Sequence, residues 1–390
     1  MTLQKSKLSR EYIKDLSRQN KEPEWLTQKR LEAFSAYQQL ELNAVYGLGI
    51  TLDFSNLNLE VEPPEIEHLK IKSGDAEVLD INEALPQVKD YLFSTLEKEK
   101  ISCLHAALFN KGLFIRVPKG VETKLLFEND LQSNSFENLL IVLEPLSKLE
   151  FIENNTSKKN NLLRSQITEI FAKEGSRIDF ASIQQYPQTI NNFVNRKAII
   201  EKDATINWVS CDLGGSLSKS DMTTFLKGPG SSVFNKNLFF GSGNQQFGIA
   251  INAIHDAPNT KSDLATKGAL NDRAKGLYTG LIKINPDAAK SVGYQREDVL
   301  QLSEEAESNA IPNLEIGNED VKCSHGATTG QINKEKIFYL MSRGIPEQEA
   351  RNKIVEGFFE PLITGIQIEK IQDEIRKIIE KKLRKGDKDE

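Results

Sequence analysis

The most reactive side chains in the closest spacing lie in Val321-Lys322-Cys323-Ser324-His325-Gly326-Ala327-Thr328-Thr329. Cys323 and His325 are two residues apart, so on a strand both side chains face the same way. A thiolate beside a neutral imidazole suits a borderline or soft metal, including iron in sulfur clusters. Two ligands from one segment leave such a site incomplete. The remaining donors must come from a partner, from sulfide or from elsewhere in this chain. The alternative is a small thiol packed in the core, with the histidine bonded to a backbone carbonyl. From residue types alone that is the commoner case. A Cys–His nucleophile and base fits less well, because two residues along a strand hold the pair about 7 Å apart.

The other candidates are thinner. Cys103 and His105 repeat the spacing, but Leu108, Phe109, Leu113 and Phe114 follow them, and packing in a strand-rich context is the better reading. Cys211 beside Asp212 reads as a core thiol. His255-Asp256 stands before Ala257-Pro258-Asn259-Thr260, where polar groups stabilise turns more often than they serve as base and orienter. Gly228-Pro229-Gly230 and Gly241-Ser242-Gly243 lack the lysine and following helix of a phosphate loop, so they read as turns.

The elements that must position these groups show a repeat. Leu146-Ser147-Lys148-Leu149-Glu150-Phe151 is echoed by Gly175-Ser176-Arg177-Ile178-Asp179-Phe180, by Asp203-Ala204-Thr205-Ile206-Asn207-Trp208 and by Gly230-Ser231-Ser232-Val233-Phe234-Asn235. The intervals are 29, 28 and 27 residues, and fainter half-steps fall near Asn244, Asn259, Ala274 and Ala289. Each unit is a turn-forming pair followed by alternation. The period leaves no room for a helical insert, which disfavours a doubly wound α/β fold. One coil carrying two opposed strands, stacked on the next, makes a β-helix or flattened solenoid. A β-sandwich, with turns every 8–12 residues, fits less well.

Helices are expected on either side. Residues 9–46 carry start signals at Ser9 and Pro23 and a roughly helical recurrence of Trp25, Leu31, Phe34 and Tyr37. A Glu/Pro-rich linker follows at Glu60–Glu65. Residues 82–99 are expected to form a helix capped by Asn82, with β-rich texture from about residue 101. After Pro312 and a last strand-like piece, Leu314-Glu315-Ile316, come a helix over Lys334–Ser342, a second opened by Pro346 and running to about Phe359, and a third with Ile368, Ile371, Ile375 and Ile378 on one stripe. The tail Lys381–Glu390 is charged and expected to fray. The expected division is a helical region over 1–99, a β core over 100–318 and a helical region over 319–390, the terminal helices capping the core.

Composition narrows the function. The chain has 390 residues, with 50 Lys and Arg against 56 Asp and Glu, for a net charge of −6. That balance argues against a general nucleic-acid binder. Three cysteines, at 103, 211 and 323, make neither a disulfide framework nor a C-x-x-C zinc site. Mean hydropathy is −0.43, no apolar run approaches the ~20 residues that cross a bilayer, and Met1–Lys7 has no apolar signal core behind it. These features point to a soluble cytoplasmic protein.

Several segments together resemble the SufB/SufD family of iron–sulfur cluster assembly proteins. They are Pro23-Glu24-Trp25-Leu26, Phe114-Ile115-Arg116-Val117-Pro118-Lys119-Gly120, Ala257-Pro258-Asn259-Thr260, Lys267-Gly268 and Val321–Thr328, then Ser342-Arg343-Gly344-Ile345, Glu349-Ala350 and Val355-Glu356-Gly357-Phe358. They follow the family's order from about residue 21 to 360. The Lys-Cys-Ser-His-Gly-Ala-Thr stretch resembles the SufD-like branch. SufB-like members carry a cysteine some fifteen residues before the equivalent of Pro312. Here that count lands on Glu297, and no cysteine lies between 212 and 322.

The resemblance implies a right-handed parallel β-helix between terminal helical segments. It also implies a complex with one SufB and two copies of SufC, an ABC-type ATPase, with the SufB–SufD interface at the ends of the β-helices. In that setting Cys323 and His325 would face a nascent iron–sulfur cluster, transient and shared with the partner. The helices around 334–360, with Arg343, Gly344, Glu349, Glu356, Gly357 and Phe358, would dock SufC. ATP-driven SufC dimerisation would then shift the interface and expose its ligands. The chain would be a non-catalytic scaffold subunit, with ATP hydrolysis left to SufC. Two rivals stand beside this reading: a self-sufficient homodimeric scaffold using Cys323 and His325 twice, and a β-helical carbohydrate-active enzyme, for which the sequence offers no converging carboxylates.

Overall fold

The computed structural model describes residues 8–42, 52, 54, 57, 59 and 74–385. Met1–Lys7 and the expected linker Glu60–Glu65 lie outside the described residues, as do 43–46 of the expected N-terminal helical stretch and residues 386–390 of the charged tail.

The N-terminal start signals act as expected. Ser9 caps α1 (Arg10–Gln19), its Oγ accepting from the Tyr12 N–H at 3.2 Å, and Pro23 precedes α2 (Glu24–Gln39). A short strand β1 (Glu77–Asp80) follows. The expected helix over 82–99 reduces to one short turn of helix, α3 (Leu85–Val88). Asn82 caps nothing there; its amide donates to Asp80 Oδ1 at 3.0 Å and so tightens a local turn. Residues past 100, expected to be β-rich, begin instead with α4 (Lys100–Leu108). Ser102–Leu108 is buried throughout, and a helix buried on all sides shows no period that distinguishes it from a buried strand.

From Lys111 the chain forms a parallel β-solenoid. The strands are β2 (Lys111–Val117), β3 (Glu122–Asp130), β4 (Ser135–Leu143), β5 (Lys148–Thr156), β6 (Leu163–Ala172), β7 (Arg177–Gln184), β8 (Asn191–Ile200), β9 (Thr205–Asp212), β10 (Leu217–Leu226), β11 (Ser232–Gly241), β12 (Gln246–His255), β13 (Lys261–Leu270), β14 (Lys275–Ile284), β15 (Val292–Gln301), β16 (Glu307–Ile316) and β17 (Lys322–Gln331). Even-numbered strands stack in one sheet, which β1 extends antiparallel, and odd-numbered strands β3–β17 stack in the other. Each of the eight coils gives one strand to each sheet.

The repeat seen in the sequence is the register of the odd sheet. Lys148 pairs with Arg177, Arg177 with Thr205, and Thr205 with Ser232. Its turn residues form a column: Gly120, Leu146, Gly175, Asp203, Gly230, Asn259 and Lys290 all have positive φ. Each donates its backbone N–H to the turn of the next coil, from Gly120 to the Pro145 carbonyl through to Lys290 and Asp320. The coil period is therefore set by one left-handed residue per turn, a position that favours Gly, Asn and Asp. Gly230 and Gly243 take such conformations, which makes their segments turns, as expected.

Inside, Leu149, Phe151, Phe180, Trp208, Phe239 and Phe247 pack between the sheets. Outside, α1, α2 and α4 cover the even sheet, where Leu26, Phe34 and Leu108 join Phe136, Leu163 and Phe193. Both faces of that sheet are then buried, which explains why all of β4 is buried.

Three C-terminal helices follow the solenoid: α5 (Lys334–Ser342), α6 (Glu347–Ile363) and α7 (Glu369–Lys385). α6 and α7 cover the odd sheet, with Ile371, Ile375, Ile379 and Phe359 against Cys211, Leu238 and Phe240. The expected isoleucine stripe thus closes on Ile379 rather than Ile378, which is only partly buried. The helices lie along the faces of the solenoid and do not cap its last coil. β16 and β17 therefore remain as terminal strands of their sheets, and β17 lies past the expected core boundary at 318.

Candidate functional site

Cys323 and His325 sit on β17, in register with Gly293 and Gln295 of β15. The odd-numbered residues of β15 and β17 point into the lumen, as their alternation with the buried Gln295, Glu297 and Val299 requires. Cys323 is half-buried and touches the central core, whereas His325 is exposed because no further coil covers it. Partial burial pushes the Cys323 thiol above its ordinary value. A neighbouring cation or metal would be needed to make it a thiolate at neutral pH. Gly293 keeps the space beneath the thiol clear: a β-carbon there would lie 3.3 Å from Cys323 Sγ and 2.9 Å from Ile282. Among the described residues no three His, Cys, Asp or Glu side chains converge on one point. The pair is thus brought together but left incomplete, at an open sheet end.

The structure separates the remaining sequence candidates from this end. His105 is buried on α4, hydrogen-bonded to Ser165 Oγ (2.9 Å) and Asn138 Oδ1 (3.3 Å). Burial lowers its pKa to about 3. Cys103 is buried on the same helix. Cys211 faces α7, and burial raises its thiol. His255 does not pair with Asp256. Its ring bonds Thr260 Oγ1 (2.7 Å) and Ser262 Oγ (2.9 Å), while Asp256 pairs with Lys227 at 2.7 Å. These groups hold turns and core.

On the C-terminal helices, Arg343 is exposed with its guanidinium 5.4 Å from the Tyr339 ring centre, and Gly344 (φ 84°) ends α5. Glu349 pairs with Lys353 at 3.6 Å, and Glu356 and Gly357 are exposed. Phe358 is turned partly inward: Lys267 Nζ lies 4.6 Å above its ring and donates to its backbone carbonyl. Sequence reasoning missed the large apolar groups beside Arg343. Phe338 is 73% exposed, and Tyr339 and Met341 are exposed with it. An exposed apolar patch of this kind marks a contact surface.

It also missed the lumen beneath His325. Gln295 and Glu297 are buried, yet their carboxamide and carboxylate atoms have no hydrogen-bond partner among the described residues. Polar residues occupy both faces of β15 (Tyr294, Arg296 and Asp298 outward, Gln295 and Glu297 inward), so the strand carries no alternation that would mark its inner face.

Comparison with known proteins supplies what geometry leaves open. Residues 126–358 match the family model described as SUF system FeS cluster assembly, SufBD core domain. The chain is 27% identical to the iron–sulfur cluster assembly protein SufD of Bacillus subtilis, over 97% of this chain and 99% of that one. It is 25% identical to SufB of the same organism, over 93% and 90%. A SufBD family protein of Staphylococcus saprophyticus is 25% identical over the same shares. Among the described residues no helix is long and apolar enough to cross a membrane.

Proposed function

The chain belongs to the SufB/SufD family of SUF-system iron–sulfur cluster assembly proteins, and from that premise we propose that it is the SufD-like scaffold subunit of a complex with SufB and the ATPase SufC. One observation carries this reading. Cys323 and His325 stand on the terminal strand β17 with no third His, Cys, Asp or Glu ligand among the described residues. A docking chain that adds a strand beyond β16 or β17 would satisfy the free strand edge and bring the missing donors in the same step. Cluster assembly would then depend on subunit assembly.

The SufD-like assignment rests on Lys322-Cys323-Ser324-His325 and on the absence of a cysteine between 212 and 322. Identity to SufD and to SufB is too close to decide between them. The exposed Phe338, Tyr339 and Met341 with Arg343 form the surface assigned to SufC. α6 is bound to the odd sheet through Lys267 and Phe358, so a pull on the C-terminal helices reaches the same sheet that ends in β17. The nascent cluster is cargo, held in transit by Cys323, His325 and donors of SufB. ATP hydrolysis belongs to SufC, and the assembly is assigned to the cytoplasm, where thiols stay reduced.

Co-expression with SufB and SufC, followed by light-scattering mass, tests the proposal. A species with one copy of this chain, one SufB and two SufC is expected. A monomer or homodimer that ignores both partners would remove the subunit role. A homodimer that binds a cluster through Cys323 would replace it with a self-sufficient scaffold.

A further inference from the structure

The odd sheet carries an inward column of one residue per coil: Glu153, Ser182, Ser210, Asn237, Thr266, Glu297 and Ala327, each in register with the next. Its two carboxylates are treated differently. Glu153 meets Arg164 at 3.1 Å and Arg196 at 3.6 Å. Glu297 is 2% exposed, and neither of its oxygens has a partner among the described residues. Gln295, 3% exposed, likewise has both amide atoms free of partners. Across the lumen, Gly280 leaves room for this carboxamide. A β-carbon there would collide with Gln295 Nε2 and lie 2.7 Å from the Tyr278 hydroxyl. The charge of Glu297 reaches that same tyrosine.

A buried carboxylate without a cation or donor is unfavourable unless something arrives to meet it. The groups around it are oxygen donors: a carboxylate, a carboxamide and a phenol. They suit a hard or borderline divalent ion with retained water, not a copper or zinc ion, for which thiolates compete better. The position is specific too. Gln295 pairs in register with His325, and Glu297 with Ala327. Gln295 therefore lies one strand spacing, about 4.8 Å, inside His325, and Glu297 lies two residues further along β15. Above Glu297 stands only the methyl group of Ala327.

We propose that Glu297 and the Gln295 carboxamide oxygen hold a ferrous ion in the last closed coil, one coil inside Cys323 and His325. This rests on the cluster-assembly reading and deepens it. An ion entering by the open end passes the thiol and imidazole of β17 and is retained by the oxygen donors of β15 beneath them, where it stays within reach of the soft ligands.

Anaerobic calorimetry of ferrous ion into the full-length chain tests this, with Cys323→Ser/His325→Ala and Glu297→Gln beside the wild type. One ferrous ion should remain in the double variant. Glu297→Gln should weaken its binding by roughly tenfold or more, at least the loss that removing an outer-sphere partner brings. Proton release, read by repeating the titration in two buffers, should vanish with it. Equal affinity in wild type and Glu297→Gln would overturn the proposal, as would loss of all binding in the double variant. If Glu297→Gln fails to fold in a thermal melt, Gln295→Met carries the same expectation. Cluster formation with SufB and SufC separates the two readings. Ferrous binding that depends on Glu297 alongside clusters that ignore Cys323 would sink the proposed function and leave this site standing. The reverse result would do the opposite.

Discussion

Near the first coils, Glu137 and Glu153 lie in the lumen against Lys111, Arg164 and Arg196. Five coils beyond Glu153, Glu297 occupies the same column with no cation beside it. Burial acts on both ends alike and favours the neutral acid. At Glu137, however, Arg164 and Lys111 overcome burial, helped by hydrogen bonds from Arg164 and Asn129, and hold the carboxyl at about 2. At Glu297 burial is unopposed, Asp298 adds a like charge, and the pKa rises to about 8. The first end is a closed ionic network that fixes the structure. The other end keeps an unmet carboxylate beside an open sheet edge, which is what a site for cargo requires and a structural core avoids.

The sharpest way to break this contrast is to give the first end the defect of the second. Arg164→Leu removes the guanidinium shared by Glu137 and Glu153, leaving them only Lys111 and Arg196 as cations, and should cost about 3–5 kcal/mol in a denaturant melt. Glu297→Gln should act in the opposite direction, stabilising the metal-free protein at pH 7–8 by roughly 1–3 kcal/mol, because a neutral amide replaces a poorly satisfied acid. Gly280→Ala, which drives a methyl group into Gln295, should destabilise by about 1–3 kcal/mol and weaken ferrous binding with it. Smallest in stability, Cys323→Ser and His325→Ala should each change the melt by only about 0.5 kcal/mol at this open end. Both should nonetheless abolish cluster formation in the complex. Equal loss of stability and of cluster would make Cys323 a packing thiol instead.

The pH dependence of the melt sharpens the same comparison. Glu137 titrates at about 2 in the folded chain, below its ordinary value, so its contribution is present above pH ~4.5 and is lost as pH falls toward 2. Glu297 titrates near 8, above its ordinary value, so the folded state binds the extra proton. Its stabilising contribution is complete below pH ~4.5 and is lost as pH rises toward 8. Glu297→Gln should flatten that upper limb. A residual slope should remain from Asp212, which burial raises to about 6 against the pull of Arg196.

The solenoid was legible because its period is written in local chemistry. Leu146, Gly175, Asp203 and Gly230 each begin a repeat, and each takes the left-handed turn that sets the coil. Cys323 and His325 were legible as a pair because spacing by two on a strand fixes a shared face. α4 was not, since Ile101–Leu108 is apolar almost without interruption and reads equally as strand. Nor was the inner face of β15, where charge on both sides erases alternation.

The turn columns, the strands between them, the helical ends and a cysteine–histidine pair all follow from neighbours within a few residues, and are readable along the chain. Which surfaces those elements cover depends on how the coils stack. The tertiary structure laid the helices along the sheet faces and left β16 and β17 as open edges. It also stacked Gln295 beneath His325 and Glu297 beneath Ala327, out of reach of Arg164 and Arg196. Stacking joins residues about 29 apart, and whether a buried acid meets a cation is settled by what the next coil places above it.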